Sequence, residues 1–351
     1  MSATAPIQHH RTRDGQINVA ILGAGGIANT MARTLLAMAS DKRYSSLINP
    51  YAVAARDSER ASTFAQQYGL PVSYGSYEDL VADPHVDLVY IATPHSMHAE
   101  QALLCLEAGK NILVEKSFTA NAEQAQQVFA LSESKGLLCT EAIWTRYMPS
   151  RGIIDEIISS GQIGQVVSAS ANLGYPITGH ARLVDPSLAG GALLDVGVYP
   201  LNFLDMALQG RNPSRIASAY QPYSTGVDAQ SSTTLFYDDG IMAVATSSML
   251  GQSDRTGCVW GTKGVLICEN INDISSIKTF GPDYKLITDY RIPEQLTGYE
   301  YEVESAAHAI LEGKQECPEM PHSDTIRIMK MMDEIRGIWG VRYPFETTPQ
   351  H

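Results

Sequence analysis

Residues 17–28 read INVAILGAGGIA, and they carry the strongest signal for the fold of the first half of the chain. Its first six residues form an apolar run rich in valine and isoleucine, which is typical of a parallel strand buried on both faces. Gly23, Gly25 and Ala28 then fit the pattern G-x-G-x-x-G/A, and apolar residues recur at helical spacing over Ile27–Met38. In such a unit the glycines permit a tight turn and let a pyrophosphate approach the N-terminus of the helix. The stretch predicts a dinucleotide-binding strand, turn and helix.

The alternation of strand and helix continues to about residue 141. Predicted strands cover Pro50–Ala55, a short segment near Val72, Val86–Ala92, Asn111–Glu115 and Leu137–Glu141. Predicted helices cover Ser58–Tyr68, Tyr77–Ala82, Met97–Ala108 and Ala122–Lys135. Regular alternation of this kind predicts an α/β domain with a doubly wound parallel sheet, a Rossmann domain.

The pattern changes after residue 142. Extended segments are predicted over Gln165–Asn172, Ser214–Tyr220, Ser231–Tyr237 and Met242–Ser248, with helices over Arg151–Ser159, Ser305–Leu311 and Thr325–Trp339. Turns such as residues 238–240 separate the strands, as in an antiparallel sheet. We therefore predict a tail over residues 1–14, a Rossmann domain over 15–141 and an α+β domain with a large, mainly antiparallel open sheet over 142–351.

Composition argues against several classes of function. The formal net charge of −13 repels nucleic acid and anionic membrane surfaces. The five cysteines are scattered and form no C-x-x-C pair, so a disulfide framework is not expected and a reducing cytoplasm fits better. No apolar run is long enough for a membrane span, and the N-terminal residues have no apolar signal region. Histidines do not cluster with acids or cysteines, so no metal site is expected.

The end of the second predicted strand bears on the choice of cofactor. NAD-specific sites usually carry an acidic residue there, but this strand ends in Ala55 and Arg56. Arg56, with Ser58 and Arg60 close by, offers a cation for a 2′-phosphate, so NADP is favoured over NAD. An arginine that simply faces solvent remains the alternative.

Two further motifs follow the predicted strands at the edge where open α/β sheets bind ligands. The first is residues 93–98, Thr-Pro-His-Ser-Met-His, and the second is Glu115-Lys116-Ser117. Because a buried strand leads directly into Lys116, we expect its ammonium group to reach the cofactor crevice. Thr93, Pro94 and Glu115 are candidate cofactor contacts for the same reason.

Together with residues 190–199, GGALLDVGVY, the glycine turn and Glu115-Lys116 resemble the Gfo/Idh/MocA oxidoreductase family. The resemblance covers nearly the whole chain past the tail. Residues 141–147, 181–183 and 260–264 resemble the family's dihydrodiol and aldose dehydrogenase branch, which is typically NADP-dependent.

The resemblance implies that Lys116, Asp195 and Tyr199 are catalytic and that the second domain binds substrate and forms a homodimer through its sheet. Tyr199 would remove a hydroxyl proton as hydride passes to the nicotinamide, or the reverse, and Lys116 would favour its phenolate. His98 would lie near the nicotinamide, whereas His95 is compatible with facing water. Trp144, Arg146 and Arg182 would line the pocket of a sugar, polyol or diol substrate.

One residue departs from the family pattern. Ser117 stands where relatives carry a proline after Glu-Lys, often preceded by a cis bond. A cis bond before a residue other than proline costs about 2.5 to 4 kcal/mol. The bond therefore either stays cis under tertiary constraint or becomes trans and re-aims Lys116.

Three other functions stay open at this point. The chain could work mainly as a reductase, for instance on a keto-sugar. It could be a sensor or pseudoenzyme that binds NADP(H) without turnover, or it could be a protein-interaction module that uses the C-terminal sheet.

Overall fold

Two β-sheets organise residues 15–346, the part of the chain that the computed structural model describes. The predicted tail, residues 1–14, lies outside this range. The first sheet has six strands, all paired in parallel, in the order β3-β2-β1-β4-β5-β6. Its strands are β1 Ile17–Leu22, β2 Ile48–Ala54, β3 Val72–Tyr74, β4 Leu88–Ile91, β5 Asn111–Glu115 and β6 Cys139–Ala142.

Five helices connect these strands, as the alternating pattern predicts. They are α1 Gly26–Ser40, α2 Ser58–Tyr68, α3 Tyr77–Ala82, α4 His95–Glu107 and α5 Ala122–Lys135. The chain runs outward from β1 to β3 and then returns to the other side of β1 at β4. This reversal leaves a crevice at the carboxyl ends of β1 and β4, where open α/β sheets bind their ligands. The doubly wound Rossmann fold is confirmed.

The second sheet has eight strands in the order β14-β13-β12-β11-β7-β10-β9-β8. They are β7 Val166–Gly174, β8 Arg215–Pro222, β9 Asp228–Phe236, β10 Met242–Ser248, β11 Gly257–Gly261, β12 Gly264–Glu269, β13 Ser276–Phe280 and β14 Leu286–Tyr290. Neighbours pair antiparallel except β7 and β10, which are parallel. The mainly antiparallel sheet is therefore confirmed. The sequence analysis did not predict the short strands β11 to β14, since each has too few residues to show a clear alternation.

Five more helices accompany this sheet: α6 Pro149–Ser159, α7 Ala181–Val184, α8 Val198–Ala207, α9 Glu300–Leu311 and α10 His322–Trp339. Helix α8 packs on the centre of the sheet, where Ala169, Ala171 and Leu173 of β7 are buried on one face. Among the described residues, one helical stretch, Pro186–Ala207, is long and apolar enough to cross a membrane. In this stretch 89% of the most apolar window is buried inside the protein, as in the core helix of a globular domain.

The division of the chain at residues 141 and 142 stays a prediction. The last strand of the first sheet ends at Ala142, close to that point. Helix α9, however, packs against strand β5 of the first sheet and against helix α1, although α9 lies near the end of the chain. The two sheets are thus joined by helices as well as by the chain that follows β6.

Candidate active site

A cavity of about 1120 Å³ opens at the carboxyl ends of the parallel strands and begins at the glycine turn. Gly23 has a φ of +108°, and a Cβ atom there would lie 2.9 Å from the carbonyl oxygen of Ala92. Around Gly25 and Gly26, by contrast, a Cβ atom would meet almost nothing. The turn is closed toward the sheet and open toward the cavity, so an anionic group can approach the N-terminus of α1.

Arg56 and Arg60 line the same end of the cavity, just past β2. The Nη2 atom of Arg60 donates to the carbonyl oxygen of Ala24 at 2.7 Å, which fixes this guanidinium beside the glycine turn. Asp57 also lines the wall, but its Oδ1 accepts hydrogen bonds from the backbone N–H groups of Glu59 and Arg60 as the N-cap of α2. The predicted contact Ser58 is not part of the cavity lining and packs against Gly75 instead.

The opposite end of the cavity collects side chains from both halves of the chain. Lys116 follows β5 directly, and Thr93, Pro94 and His95 follow β4. Trp144 comes from the 3₁₀ turn after β6, and Arg182 comes from α7. From the predicted site, the lining includes Gly23, Gly25, Gly26, Ile27, Arg56, Arg60, Thr93, Pro94, Glu115, Lys116, Trp144, Arg182, Asp195 and Tyr199.

The segment that carries Asp195 and Tyr199 is anchored from behind by Asp228. Gly191 has a φ of +123°, and a Cβ atom there would lie 2.1 Å from Oδ1 of Asp228. The other oxygen of this buried carboxyl accepts the backbone N–H of Leu193 at 2.6 Å. The chain then forms a π-helical turn over Leu193–Gly197, a feature that frequently occurs at functional sites, and continues into α8.

Two cationic side chains contact the carboxylate of Asp195. Lys116 Nζ donates to the Asp195 carbonyl oxygen at 2.7 Å and to its carboxylate at 3.3 Å. Arg182 Nη1 donates to the same carboxylate at 2.5 Å. Burial by itself would raise the pKa of Asp195, but the two cations outweigh it and hold the pKa well below its usual range. Asp195 is therefore a fixed carboxylate that positions Lys116.

The structure corrects the expected ionisation of Tyr199. Its pKa is raised well above 10, because the side chain is desolvated and the carboxyl of Glu115 is near. Lys116 Nζ lies 4.9 Å from the centre of the tyrosine ring, over its face rather than at the hydroxyl. Trp144 Nε1 donates to the Tyr199 oxygen at 3.2 Å. The side chain is a neutral phenol whose own proton can be donated into the cavity.

Of the two histidines, His95 lies in the cavity wall and His98 does not. His95 is 6% exposed and lines the cavity, so the interpretation that it faces water was wrong. Its pKa falls to about 3, chiefly because burial disfavours the charged ring. His98 lies outside the cavity lining and contacts the carbonyl oxygens of Thr93 at 2.8 Å and Ser117 at 2.9 Å. It holds the two loops together rather than contacting a ligand in the cavity.

Arg146 does not line the cavity, which corrects its predicted role as a substrate residue. The side chain is 1% exposed and lies between helices of the second half of the chain. Its nitrogens donate to Asn202 at 2.7 Å, Asp205 at 2.6 Å and Asp324 at 3.1 Å. Ala28 is likewise outside the lining, buried in the core beneath the glycine turn.

The Lys116–Ser117 peptide bond is cis, which decides between the two alternatives left open by the sequence. Ser117 Oγ donates to the carbonyl oxygen of Leu194 at 2.8 Å, so the turn that carries Lys116 is tied to the segment that carries Asp195.

Sequence reasoning missed several residues of the cavity wall, including Tyr299, His180 and Asp57. Tyr299 stacks on Trp144 with ring centres 4.3 Å apart, but it precedes α9 in a region without a motif. His180 stands directly before the quoted stretch 181–183, which could have indicated it. Asp57 lies between Arg56 and Arg60, whose positive charges are the stronger signal in that stretch of sequence. Within residues 15–346, no group of three or more histidine, cysteine or acidic side chains is placed to hold a metal ion.

Family models agree with this architecture in both halves of the chain. Residues 17–143 match the model described as an oxidoreductase family with an NAD-binding Rossmann fold. Residues 153–267 match the GFO/IDH/MocA C-terminal domain. The chain belongs to the Gfo/Idh/MocA oxidoreductase family. The glycine turn, Lys116 and the segment from Gly190 to Tyr199 lie within the matched residues of this Gfo/Idh/MocA oxidoreductase.

Individual relatives extend the match to nearly the full length. The chain is 33% identical over 329 residues to trans-1,2-dihydrobenzene-1,2-diol dehydrogenase of Mus musculus, covering 92% of this chain and 97% of that protein. The Xenopus tropicalis enzyme of the same name is 35% identical, covering 84% of this chain and 90% of that enzyme. A 3-ketoreductase from Actinomadura kijaniata, solved in complex with NADP and TDP-benzene, aligns with a TM-score of 0.81 and 25% identity, covering 92% of the present Gfo/Idh/MocA chain and 97% of the ketoreductase.

Proposed function

We propose that this oxidoreductase uses NADP to interconvert a hydroxyl and a carbonyl group on a small sugar, polyol or diol. The observation that carries the proposal is the joint presence, in one cavity, of the glycine turn and of Lys116, Asp195 and Tyr199 at the opposite end. The names of the relatives, dihydrodiol dehydrogenases and a ketoreductase bound to NADP, support the same chemistry.

The residues at the end of the cavity beside the glycine turn fit an NADP molecule. The open side of the turn at Gly25 and Gly26 leaves room for the pyrophosphate at the N-terminus of α1. Arg56 and Arg60 would hold the 2′-phosphate, because no other cation lines that end of the wall within the described residues. Asp57 accepts two backbone N–H groups on Oδ1, so this oxygen is already engaged and is not free for the 2′-hydroxyl of NAD.

At the end of the cavity that holds Lys116 and Tyr199, the protein supplies proton transfer and a positive charge near the reacting oxygen. A bound nicotinamide would accept or deliver the hydride there. In the direction of reduction, the neutral hydroxyl of Tyr199 donates its proton to the substrate oxygen as negative charge develops there. Lys116, held by Asp195 at 3.3 Å, places its ammonium beside the same oxygen and stabilises that charge. In oxidation the steps run in reverse and start from the deprotonated Tyr199 that reduction leaves, because the neutral phenol cannot accept the hydroxyl proton.

The substrate side of the cavity is partly aromatic. Trp144 and Tyr299 stack nearly parallel, with an interplanar angle of 7°, and a Cβ atom on Gly298 would overlap the Trp144 ring. An apolar wall of this kind accommodates the face of a sugar or cyclic diol, and Arg182 and His180 offer polar groups opposite it. The pocket thus suits a neutral ring that carries hydroxyl groups.

The direct test is a spectrophotometric assay of NADP reduction with a panel of aldoses, polyols and aromatic dihydrodiols, and of NADPH oxidation with keto-sugars. We expect turnover with at least one hydroxylated ring compound. Tight binding of NADP(H) without turnover of any member would contradict the proposal and favour a sensor.

Arg56→Ala tests the assignment of the cofactor. Loss of one charge-assisted contact, worth about 1.5–3 kcal/mol, should raise KM for NADP about 10- to 100-fold and leave KM for NAD nearly unchanged. Arg43→Ala is the matched control, since Arg43 is paired with Asp41 and lies outside the cavity. Equal effects on both cofactors would remove Arg56 from the 2′-phosphate site.

We also propose that two copies pair through the open face of the second sheet. The strand registers place Met242, Val244 and Trp260 on this face, opposite the one that α8 covers. Met242 is 45% and Trp260 37% exposed, which is unusual for large apolar side chains in the middle of a sheet. Sedimentation equilibrium should give twice the mass of one chain for the parent protein. The Trp260→Glu variant should give the mass of a single chain. A monomeric parent protein would refute the pairing.

The thiol state agrees with a reducing compartment, for which we propose the cytoplasm. All five cysteines are free, and four of them are buried. Fractionation of the native host would test this location.

A further inference from the structure

Ser117, the residue that departs from the family pattern, makes a contact for which the chemistry above gives no role. Its side chain is fully buried and lies outside the cavity lining. The Oγ atom donates to the carbonyl oxygen of Leu194 at 2.8 Å. Lys116, the preceding residue, donates from Nζ to the carbonyl oxygen of Asp195 at 2.7 Å. Two consecutive residues after β5 therefore bind two consecutive carbonyl oxygens of the π-helical turn.

The π-helical turn is held on both sides. Behind it, the buried carboxyl of Asp228 accepts the backbone N–H of Leu193 at 2.6 Å. In front of it, Ser117 and Lys116 bind the next two residues along the chain. A backbone that is fixed at three successive residues has little freedom to shift relative to the end of β5.

The backbone of Lys116 and Ser117 is itself held by helix α4. The Nε2 atom of His95 contacts the Lys116 carbonyl oxygen at 3.2 Å, and the Nδ1 atom of His98 contacts the Ser117 carbonyl oxygen at 2.9 Å. Both histidines belong to α4 and are buried. Because α4 fixes these two carbonyl groups, the Ser117 hydroxyl can transmit that fixed position to the π-helical turn.

The contacts of Ser117 and Lys116 differ in stiffness. Serine carries its hydroxyl on a single rotatable bond, so the contact with Leu194 fixes the distance between two backbones. Lysine carries its ammonium on a flexible four-carbon stem. The Lys116 ammonium therefore takes its position from its acceptors, the carbonyl and carboxylate oxygens of Asp195 at 2.7 and 3.3 Å. A shift of Asp195 would move the ammonium with it.

We propose that Ser117 is a positioning residue for the reaction, because its hydroxyl holds the backbone of Leu194 and Asp195 where Asp195 aims the Lys116 ammonium at the substrate oxygen. This inference rests on the proposed role of Lys116 in catalysis. Ser117 lies outside the cavity lining, so it acts through Asp195 and Lys116 rather than on the substrate or the cofactor. A misplacement of about 1 Å at a reacting group can cost about 10²-fold in rate, so a small shift of the turn is measurable.

Steady-state kinetics of Ser117→Ala, with the aldoses, polyols and dihydrodiols of the panel above, test the proposal. We expect kcat to fall about 3- to 10-fold, the effect of losing one neutral hydrogen bond. KM for NADP should stay within about twofold of the parent value, because the hydroxyl contacts Leu194 and not the cofactor end of the cavity. Hydrogen exchange followed by mass spectrometry should be faster in the peptide that carries residues 193–199.

Ser132→Ala is the matched control. Ser132 is equally buried and donates to the carbonyl oxygen of Phe129 at 2.9 Å, within α5 and outside the cavity lining. Its loss should leave both kcat and the exchange of residues 193–199 unchanged. Ser117→Cys keeps the size of the side chain but donates only weakly, so this second variant should also lower kcat at an unchanged KM for NADP.

A double-mutant cycle with Lys116→Ala separates a positioning role from a purely structural one. In the Lys116→Ala background, Ser117→Ala should change kcat by less than about twofold, since the ammonium through which it acts is gone. A purely structural role would cost the same factor in both backgrounds. An unchanged kcat in Ser117→Ala, or equal losses in the two backgrounds, would overturn the inference and leave the proposed function intact. No turnover of any panel compound by the parent protein would overturn both.

Discussion

Tyr199→Phe should lower kcat by about 10²- to 10⁴-fold, the usual worth of a positioned proton donor or acceptor. The hydroxyl accepts the indole N–H of Trp144 and keeps its own proton for the substrate, so phenylalanine removes the donor and leaves the ring in place. Binding of NADPH, measured by fluorescence titration, should be nearly unchanged. The loss should therefore appear in kcat and not in the affinity for the cofactor.

A matched control and a second variant sharpen this test. Tyr343→Phe removes another buried hydroxyl, which lies outside the cavity and has no hydrogen-bond partner within residues 15–346, and should leave kcat near the parent value. Lys116→Ala should also lower kcat, and the double variant should be little worse than either single one if the two groups act on the same oxygen. Full turnover by Tyr199→Phe would require another proton donor, with the neutral His95 in the wall as the next candidate.

Arg146→Ala should instead lower the free energy of unfolding, by about 3–5 kcal/mol, because it breaks a buried ion pair and leaves the buried carboxylate of Asp205 with one cationic partner instead of two. Asp205 would keep only Arg327, which donates to it at 2.7 and 2.8 Å. The measurement is the midpoint of urea unfolding, followed by intrinsic fluorescence.

Arg182→Ala is the control that separates the two arginines. Arg182 is 46% exposed at the cavity and binds Asp195, so its loss should reduce activity while changing the urea midpoint little. If Arg146→Ala lost activity at an unchanged midpoint, the residue would belong to the substrate site after all.

Local sequence was sufficient wherever a residue's role follows from its neighbours in the chain. The apolar run Ile17–Leu22 and the turn after it specify a buried strand and a tight bend whatever the rest of the protein does. Lys116 was placed correctly at the cavity because it follows a buried strand. The short strands from Gly257 to Tyr290 escaped prediction, since pairing with neighbours rather than their own pattern makes them strands.

Local patterns in the sequence were enough to predict a Rossmann sheet followed by a mainly antiparallel sheet, the glycine turn and the oxidoreductase family. The positions of individual polar side chains, by contrast, depend on how distant segments pack. The sequence around Arg146 and Arg182 predicts the same role for both residues. Arg146, however, is buried among Asn202, Asp205 and Asp324. Arg182 instead lies at the cavity and binds Asp195. Tyr199 is a neutral phenol because desolvation and the nearby carboxyl of Glu115 raise its pKa. Those surroundings come from segments up to about two hundred residues apart, which no local pattern records.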